Sequence, residues 1–267
     1  MTKTDAIRPR RNLTRLPPPN VARLGLILAL LAVWELYGRL WGDPLFIAPP
    51  SAAVLALIGL ARDPAIRRAI LTFTLEVSIA FGLSLMLGLA IGLWLGLSRR
   101  VRTIATPIVL FMYAMPQITI LPVIMLLAGI GAGSKITFGV THGVFPFTLG
   151  VCAAVQNLPN IFMATAVSMG ASKWERFRFV LLPHMVTPLF ASMRLCMSAV
   201  ILGVLLAELF ASTNGIGQFT RAFTQGFDPA SLFALIAVIA VIAIFFNEAL
   251  RLVERYFTRW RHPGKTI

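Results

Sequence analysis

The chain has 267 residues, of which 58% are hydrophobic and only 13% charged, against about 25% charged in an average soluble domain. That composition excludes a soluble globular protein and describes an integral membrane protein. The net charge of +14 raises nucleic-acid binding, but Lys and Arg cluster beside apolar stretches, where they orient spans and meet anionic lipid, so no nucleic-acid partner is expected.

Residues 1–20 read as a cytoplasmic basic tail carrying Lys3, Arg8, Arg10, Arg11 and Arg15. A bilayer-crossing helix needs about 20 mainly apolar residues, and the first such stretch is 21–41. It follows a basic region like a signal peptide, but it is long and lacks a clear small-residue cleavage site, so a retained helix is expected. Residues 42–70 read as an external loop. Within it, residues 51–62 form an apolar stretch too short to span, which predicts an interfacial helix.

Residues 71–255 hold five further spans, at 71–97, 104–128, 136–155, 188–211 and 230–253. Together with the first, they predict an all-α membrane protein of about six transmembrane helices. Residues 256–267 form a second basic tail. Arg99, Arg100 and Arg102, then Lys173, Arg176 and Arg178, and then the run from Arg251 to Lys265 fall on the same side as the N-terminal tail. By the positive-inside rule that side is cytoplasmic, and both termini face it. The intervening loops carry Arg62, Arg67, Arg68, Lys135 and Arg221.

The second span contains Ser84, Gly88, Gly92 and Gly96 at four-residue spacing. These small residues share one helix face and let another backbone approach, either within the chain or from another chain. The third span carries Pro107, Pro116 and Pro122. Each removes a backbone donor, and the Met115-Pro116-Gln117 step adds an amide at membrane depth, so this span is either a kinked, cavity-lining helix or a simple packing kink. Pro116 and Gln117 are taken as candidates for the translocation path.

Glu208 joins them, because a carboxylate in the apolar run VILGVLLAELF must be paired, face water or sit at the interface. Glu76, His142 and Arg194 are the other polar groups near membrane depth. Cys152 and Cys196 lie in apolar surroundings without metal or redox spacing and read as packing residues.

Residues 157–184 break the apolar pattern with a polar, basic segment. Ala164, Ala166 and Ala171 allow close packing, while Lys173, Glu175, Arg176 and Arg178 remain solvated. Gly170 supplies a turn, and Pro183 and Pro188 bracket the entry to the next span. The pattern predicts a helix-turn-helix lying across the membrane face.

Such an element transmits force only if another protein grips it, because this sequence has no means of using ATP. The segment GIGAGSKIT at 129–137 is glycine-rich but lacks an adjacent Gly-Lys-Ser/Thr and reads as an external loop. The triplet Gly264-Lys265-Thr266 has Arg259 where a phosphate-binding loop needs its first glycine, and no helix follows.

Ala164, Ala166 and Gly170, followed after nine residues by Val180, Leu182 and Pro183, reproduce the spacing EAA, three residues, G, nine residues, I-x-L-P. That pattern resembles the cytoplasmic loop of ABC importer permeases. With AELFASTNGIGQF and the stretch from LSRRVRTIATP to GIGAGSKI, it resembles the permease subunit of type I ABC importers, especially the sulfonate, taurine and nitrate group. The motif's leading acid is replaced by Ala164 and its next alanine by Thr165.

The resemblance implies the type I ABC importer permease architecture, a homodimer, two cytoplasmic ABC ATPase subunits and an extracytoplasmic solute-binding protein. It places the chain in the bacterial cytoplasmic (inner) membrane. It implies no enzyme activity and no cofactor on this chain, ATP and Mg belonging to the partner ATPase. Ala164, Ala166, Gly170, Ala171, Trp174, Glu175, Arg176, Arg178 and Pro183 would form the ATPase-coupling loop.

The cargo implied is a small organic or inorganic anion such as an alkanesulfonate, taurine or nitrate. The same architecture also serves other ligand classes, including pyrimidine vitamin precursors and aromatic acids. An ion-coupled secondary transporter would need intramembrane coupling carboxylates or repeated halves, for which Glu208 is thin support. A membrane-embedded enzyme would need a convergent cluster, and His142, His184 and His262 are scattered.

Overall fold

Proline and glycine cut this apolar sequence into helices. The computed structural model describes residues 19–211 and 215–258, and every regular element among them is helical. The tail residues Arg8 to Arg15 and the Gly264-Lys265-Thr266 triplet lie outside the described residues. The first helix is α1 (Pro19–Leu40), followed by α2 (Pro50–Arg62) and α3 (Pro64–Leu97).

Span two therefore begins at Pro64 and not at residue 71, which shortens the expected external loop. Asp63 causes this, because its Oδ1 accepts from the Ala65 amide at 2.7 Å while Pro64 occupies the first helical turn, where a missing N–H costs nothing.

The third span is a single straight helix nowhere. It consists of α4 (Arg99–Ala114), a 3-10 turn at Gln117–Ile120 and α5 (Leu121–Ala128), bent by 86° at the break. Of its three prolines, Pro107 is carried inside α4 and Pro122 sits in the first turn of α5. Pro116 makes the break, since it follows extended Met115 and is itself extended, as the residue before a proline prefers.

The chain continues through α6 (Ala132–Gln156), α7 (Asn160–Ser168), α8 (Lys173–Arg176), a π turn at Phe177–Leu181 and α9 (Leu182–Ala211). It closes with α10 (Ile216–Gln225) and α11 (Pro229–Thr258). Among the described residues, five helices are long and apolar enough to cross a membrane, or six if the bent pair counts as one span.

The core is the three-helix packing of α3, α6 and α9. The glycine ladder of α3 faces α6 in parallel register, with Gly88 against Phe147, Gly92 against Val151 and Gly96 against Val155. The small-residue face is thus a seam within the chain. A second ladder on α6 meets α9 in antiparallel register, with Gly139 against Val204, Gly143 against Val200 and Gly150 against Ser192.

Phe73, Phe147, Met197 and Val200 fill the space between. Backbones brought this close gain dispersion contacts in a medium where lipid offers no hydrophobic drive for association. By contrast α1 exposes nearly all its apolar side chains, touching the rest through Trp34 on Phe233 and through Glu35, which accepts from the amide and hydroxyl of Ser51.

Candidate functional site

The helix-turn-helix expected at 157–184 is formed by α7, Gly170 and α8. Gly170 has φ +78°, a conformation that side chains disfavour. Its amide donates to Val167 O and the Ala171 amide donates to Ala166 O, which is the pair of bonds that closes a helix at a left-handed residue. This turn reverses the chain between α7 and α8.

Trp174 and Arg178 stand exposed and Arg176 is half-buried, with Trp174 stacked on Phe177 at 5.7 Å. Ala164 is exposed and Ala171 half-buried. Ala166 is 8% exposed and shapes the inside of the turn. Glu175 also has a local task. Its carboxylate accepts from the Ser172 amide at 2.7 Å while the Glu175 amide donates to Ser172 Oγ, a reciprocal cap on α8.

Pro183 and Pro188 were expected to bracket the entry to span five as a boundary or kink. Pro183 stands in the first turn of α9, directly after the π turn in which the Leu182 amide donates to Phe177 O, and α9 continues through Pro188. Pro183 has no amide to offer Phe179, and its ring presses on that carbonyl, so the turn widens by one residue. Pro183, Phe179, Phe162, Ala166 and Met169 wall an apolar groove of about 630 Å³ between α7 and the start of α9.

At the far end of α6 from this loop lies a buried charge cluster. Lys135 Nζ stands 2.7 Å from Glu76 Oε1 and 3.2 Å from Glu208 Oε1, and the three side chains are at most 4% exposed. Glu208 Oε2 also accepts from the Gly217 amide at 2.9 Å. A side chain at Gly215 or Gly217 would collide with Glu208, so both glycines are required for the loop to α10 to close over it.

Glu208 is accordingly a paired, fully buried group behind the helix surface. Lys135, expected in an external loop, belongs to the first turn of α6. The sequence signal for it was a lysine followed directly by an apolar span. The cluster borders a cavity of about 670 Å³ lined by Arg68, Thr72, Glu76, Lys135 and Gln218 among others.

Arg194 and His142 find local partners. Arg194 pairs with Glu254 of α11. His142 Nδ1 lies 3.1 Å from Phe138 O and its ring packs edge-on against Phe138. Pro116 and Gln117 sit at the break between α4 and α5, and Gln117 Oε1 is buried without a donor. Cys152 and Cys196 are buried free thiols. No group of three or more His, Cys, Asp or Glu among the described residues is placed to hold a metal ion.

Comparison with known proteins places this arrangement. The chain is 28% identical to the taurine transport system permease protein of Escherichia coli (strain K12), over 89% of this chain and 88% of that one. It is 24% identical to the formylaminopyrimidine transport permease protein of Halalkalibacterium halodurans, over 88% and 93%.

Its fold matches the inward-facing MetNI methionine ABC transporter with a TM-score of 0.65 at 16% identity, covering 73% of this chain and 96% of the matched chain. Residues 84–261 match the family described as binding-protein-dependent transport system inner membrane component. The chain therefore belongs to that family and has the type I fold of an ABC importer permease.

Proposed function

We propose that this chain is the permease of an importer for a small organic anion of the sulfonate type, working as a homodimer. Two cytoplasmic ATPase subunits, which hold the ATP and Mg, grip the loop at 157–184. A solute-binding protein delivers cargo on the opposite face, and both termini lie on the ATPase side of a bacterial inner membrane. The observation that carries this reading is the helix-turn-helix of α7, Gly170 and α8, which runs through the π turn at Phe177–Leu181 into core helix α9. Displacement of a gripped α8 passes along a rigid helix to the Glu208 end of the core.

The homodimer is supported by the bent pair α4 and α5, whose Ile104, Phe111, Leu126 and Leu127 are 68–85% exposed. The sulfonate class is supported by the taurine permease relative. The first experiment is purification in mild detergent from the native membrane, followed by identification of co-purifying chains and an ATP hydrolysis assay. A stoichiometric ATPase supports the reading. A chain that purifies alone, with no ATPase able to restore uptake, overturns it.

An aminopyrimidine cargo is a second reading. It is favoured by the formylaminopyrimidine permease relative and by the carboxylate of Glu76 at the wall of the α3 cavity, which suits a solute bearing N–H donors.

A further inference from the structure

The Glu76 carboxylate is 3% exposed; the Lys135 ammonium stands 2.7 Å from Oε1, while Oε2 has no donor. Lys135 Nζ lies close to Oε1 but is shared with Glu208, so two carboxylates face one ammonium. The second carboxylate is already satisfied, because Glu208 takes both the ammonium and the Gly217 amide. The unmet acceptor capacity is therefore on Glu76, and Glu76 is the member of the pair that lines the 670 Å³ cavity. A buried carboxylate oxygen without a donor costs free energy unless a ligand supplies one.

Arg68, Thr72 and Glu76 lie at i, i+4 and i+8 on α3 and all line this cavity, so they form one vertical row on one helix face. Arg68 and Thr72 are exposed, at the outer end of the row. The row presents a guanidinium, a hydroxyl and a carboxylate in order over about 12 Å of helix axis, and arginine's reach shortens the gap between the charges. A simple anion would meet Arg68 and then be repelled by Glu76. A solute with an amino group at one end and an anionic or polar group at the other would satisfy both.

We propose that the cavity between α3, α6 and α10 is a binding site for the amino group of the transported solute, with Glu76 as its acceptor and Arg68 holding the opposite end. This rests on the importer reading and narrows it to amine-bearing cargo, whether an aminosulfonate or an aminopyrimidine. Glu76 then selects against amine-free alkanesulfonates.

The test uses the complete transporter in detergent with Thr72→Cys, a position exposed in the cavity. The native thiols Cys152 and Cys196 are buried, so a neutral maleimide reports on the introduced thiol. The probes are 2-aminoethanesulfonate, ethanesulfonate, ethylammonium chloride, a 4-aminopyrimidine and potassium chloride at matched ionic strength.

At a concentration ten times its dissociation constant, an amine probe is expected to slow labelling about tenfold, and ethanesulfonate and potassium chloride to leave it unchanged. Glu76→Gln should remove the protection. Equal protection by ethanesulfonate or potassium chloride, or no protection by any amine, overturns the proposal. Should Glu76→Gln fail to accumulate, the probe series on the chain with Glu76 intact decides the matter alone. The relative strength of 2-aminoethanesulfonate and the aminopyrimidine separates the two sources of the amine. Uptake of 2-aminoethanesulfonate by cells carrying the whole system is scored separately: its absence counts against the sulfonate cargo, and protection of the introduced thiol decides the site.

Discussion

Gly92 of α3 and Val151 of α6 are packed so closely that a methyl group on Gly92 would lie 2.6 Å from Val151 Cβ and 2.8 Å from the Thr148 carbonyl oxygen. Neither helix can yield locally, because the carbonyl is backbone and Gly88 and Gly96 fix the contact on either side. Gly92→Ala is therefore expected to destabilise the chain by about 1–3 kcal/mol through overpacking. Gly82→Ala on the same helix meets nothing within 4 Å and should be neutral or gain up to about 1 kcal/mol from helix propensity. Thermal unfolding of the two purified variants in one detergent checks the pair, and equal melting points would refute the seam.

The Lys135 ammonium holds α3 and α9 together through Glu76 and Glu208. Replacing Lys135 with Met keeps the length of the side chain but leaves two buried carboxylates facing one another. Removing one partner of a buried pair costs about 3–5 kcal/mol, so Lys135→Met should lower the melting temperature well below that of Gly92→Ala. Restoration of stability by adding Glu76→Gln and Glu208→Gln to Lys135→Met would show that the loss is electrostatic and not a packing defect.

These two contrasts mark what could be read from the chain alone. The glycine ladder was legible because four-residue spacing is a local property of one helix, although its partner was not. Gly170 was legible for the same reason, since a turn needs only its own residues. The pairing of Lys135 with Glu208 spans 73 positions, and no local pattern records which opposite charges meet across a helix bundle. The break in the third span was half legible: three prolines announced irregularity, but Pro107 is absorbed inside α4 whereas Pro116 forces the turn. The near-burial of Ala166 was not legible, because periodicity in the short α7 does not say which face the following turn will cover.

Gly170 gives the sharpest test of the coupling loop. Its φ of +78° is tolerated by Asn, strained for Ala and worse for β-branched or bulky residues, at roughly 1–2 kcal/mol for leaving the right-handed region. A side chain there would meet open space, so the effect comes from the backbone. The expected order of ATP-coupled uptake is Gly, Asn, Ala, then Val or Trp near zero, with membrane insertion unchanged throughout. Normal transport by a well-expressed Gly170→Trp chain would remove the loop from the coupling path.

Glu175 separates capping from docking. If its carboxylate serves mainly to close α8 through Ser172, Gln preserves the cap and Ala destroys it. Glu175→Gln should then retain ATPase stimulation, while Glu175→Ala and Ser172→Ala lose it to a similar extent. A charge-dependent contact with the ATPase predicts the opposite, with Gln as damaging as Ala and Ser172→Ala mild. Hydrolysis rates of the reconstituted complex distinguish the two patterns.

Pro183 sets the phase between the loop and the core. The π turn at Phe177–Leu181 inserts one extra residue before α9, and a residue turns a helix by about 100°. Pro183→Ala supplies an amide and removes the ring that faces the Phe179 carbonyl, which lets the segment relax to α-helical bonding. Trp174 and the loop beyond it would then rotate by about that angle relative to Glu208. The variant should therefore unfold at the same or a higher temperature than the parent, because a hydrogen bond is gained and a ring clash relieved. Uptake should nevertheless fall several-fold, because the ATPase grips a loop pointing the wrong way. Stability gained with uptake lost is the signature of a phase-setting turn. Stability and uptake unchanged together would mean that the π turn persists without Pro183, and that its cause lies in the packing of Phe177 and Leu181 against the core.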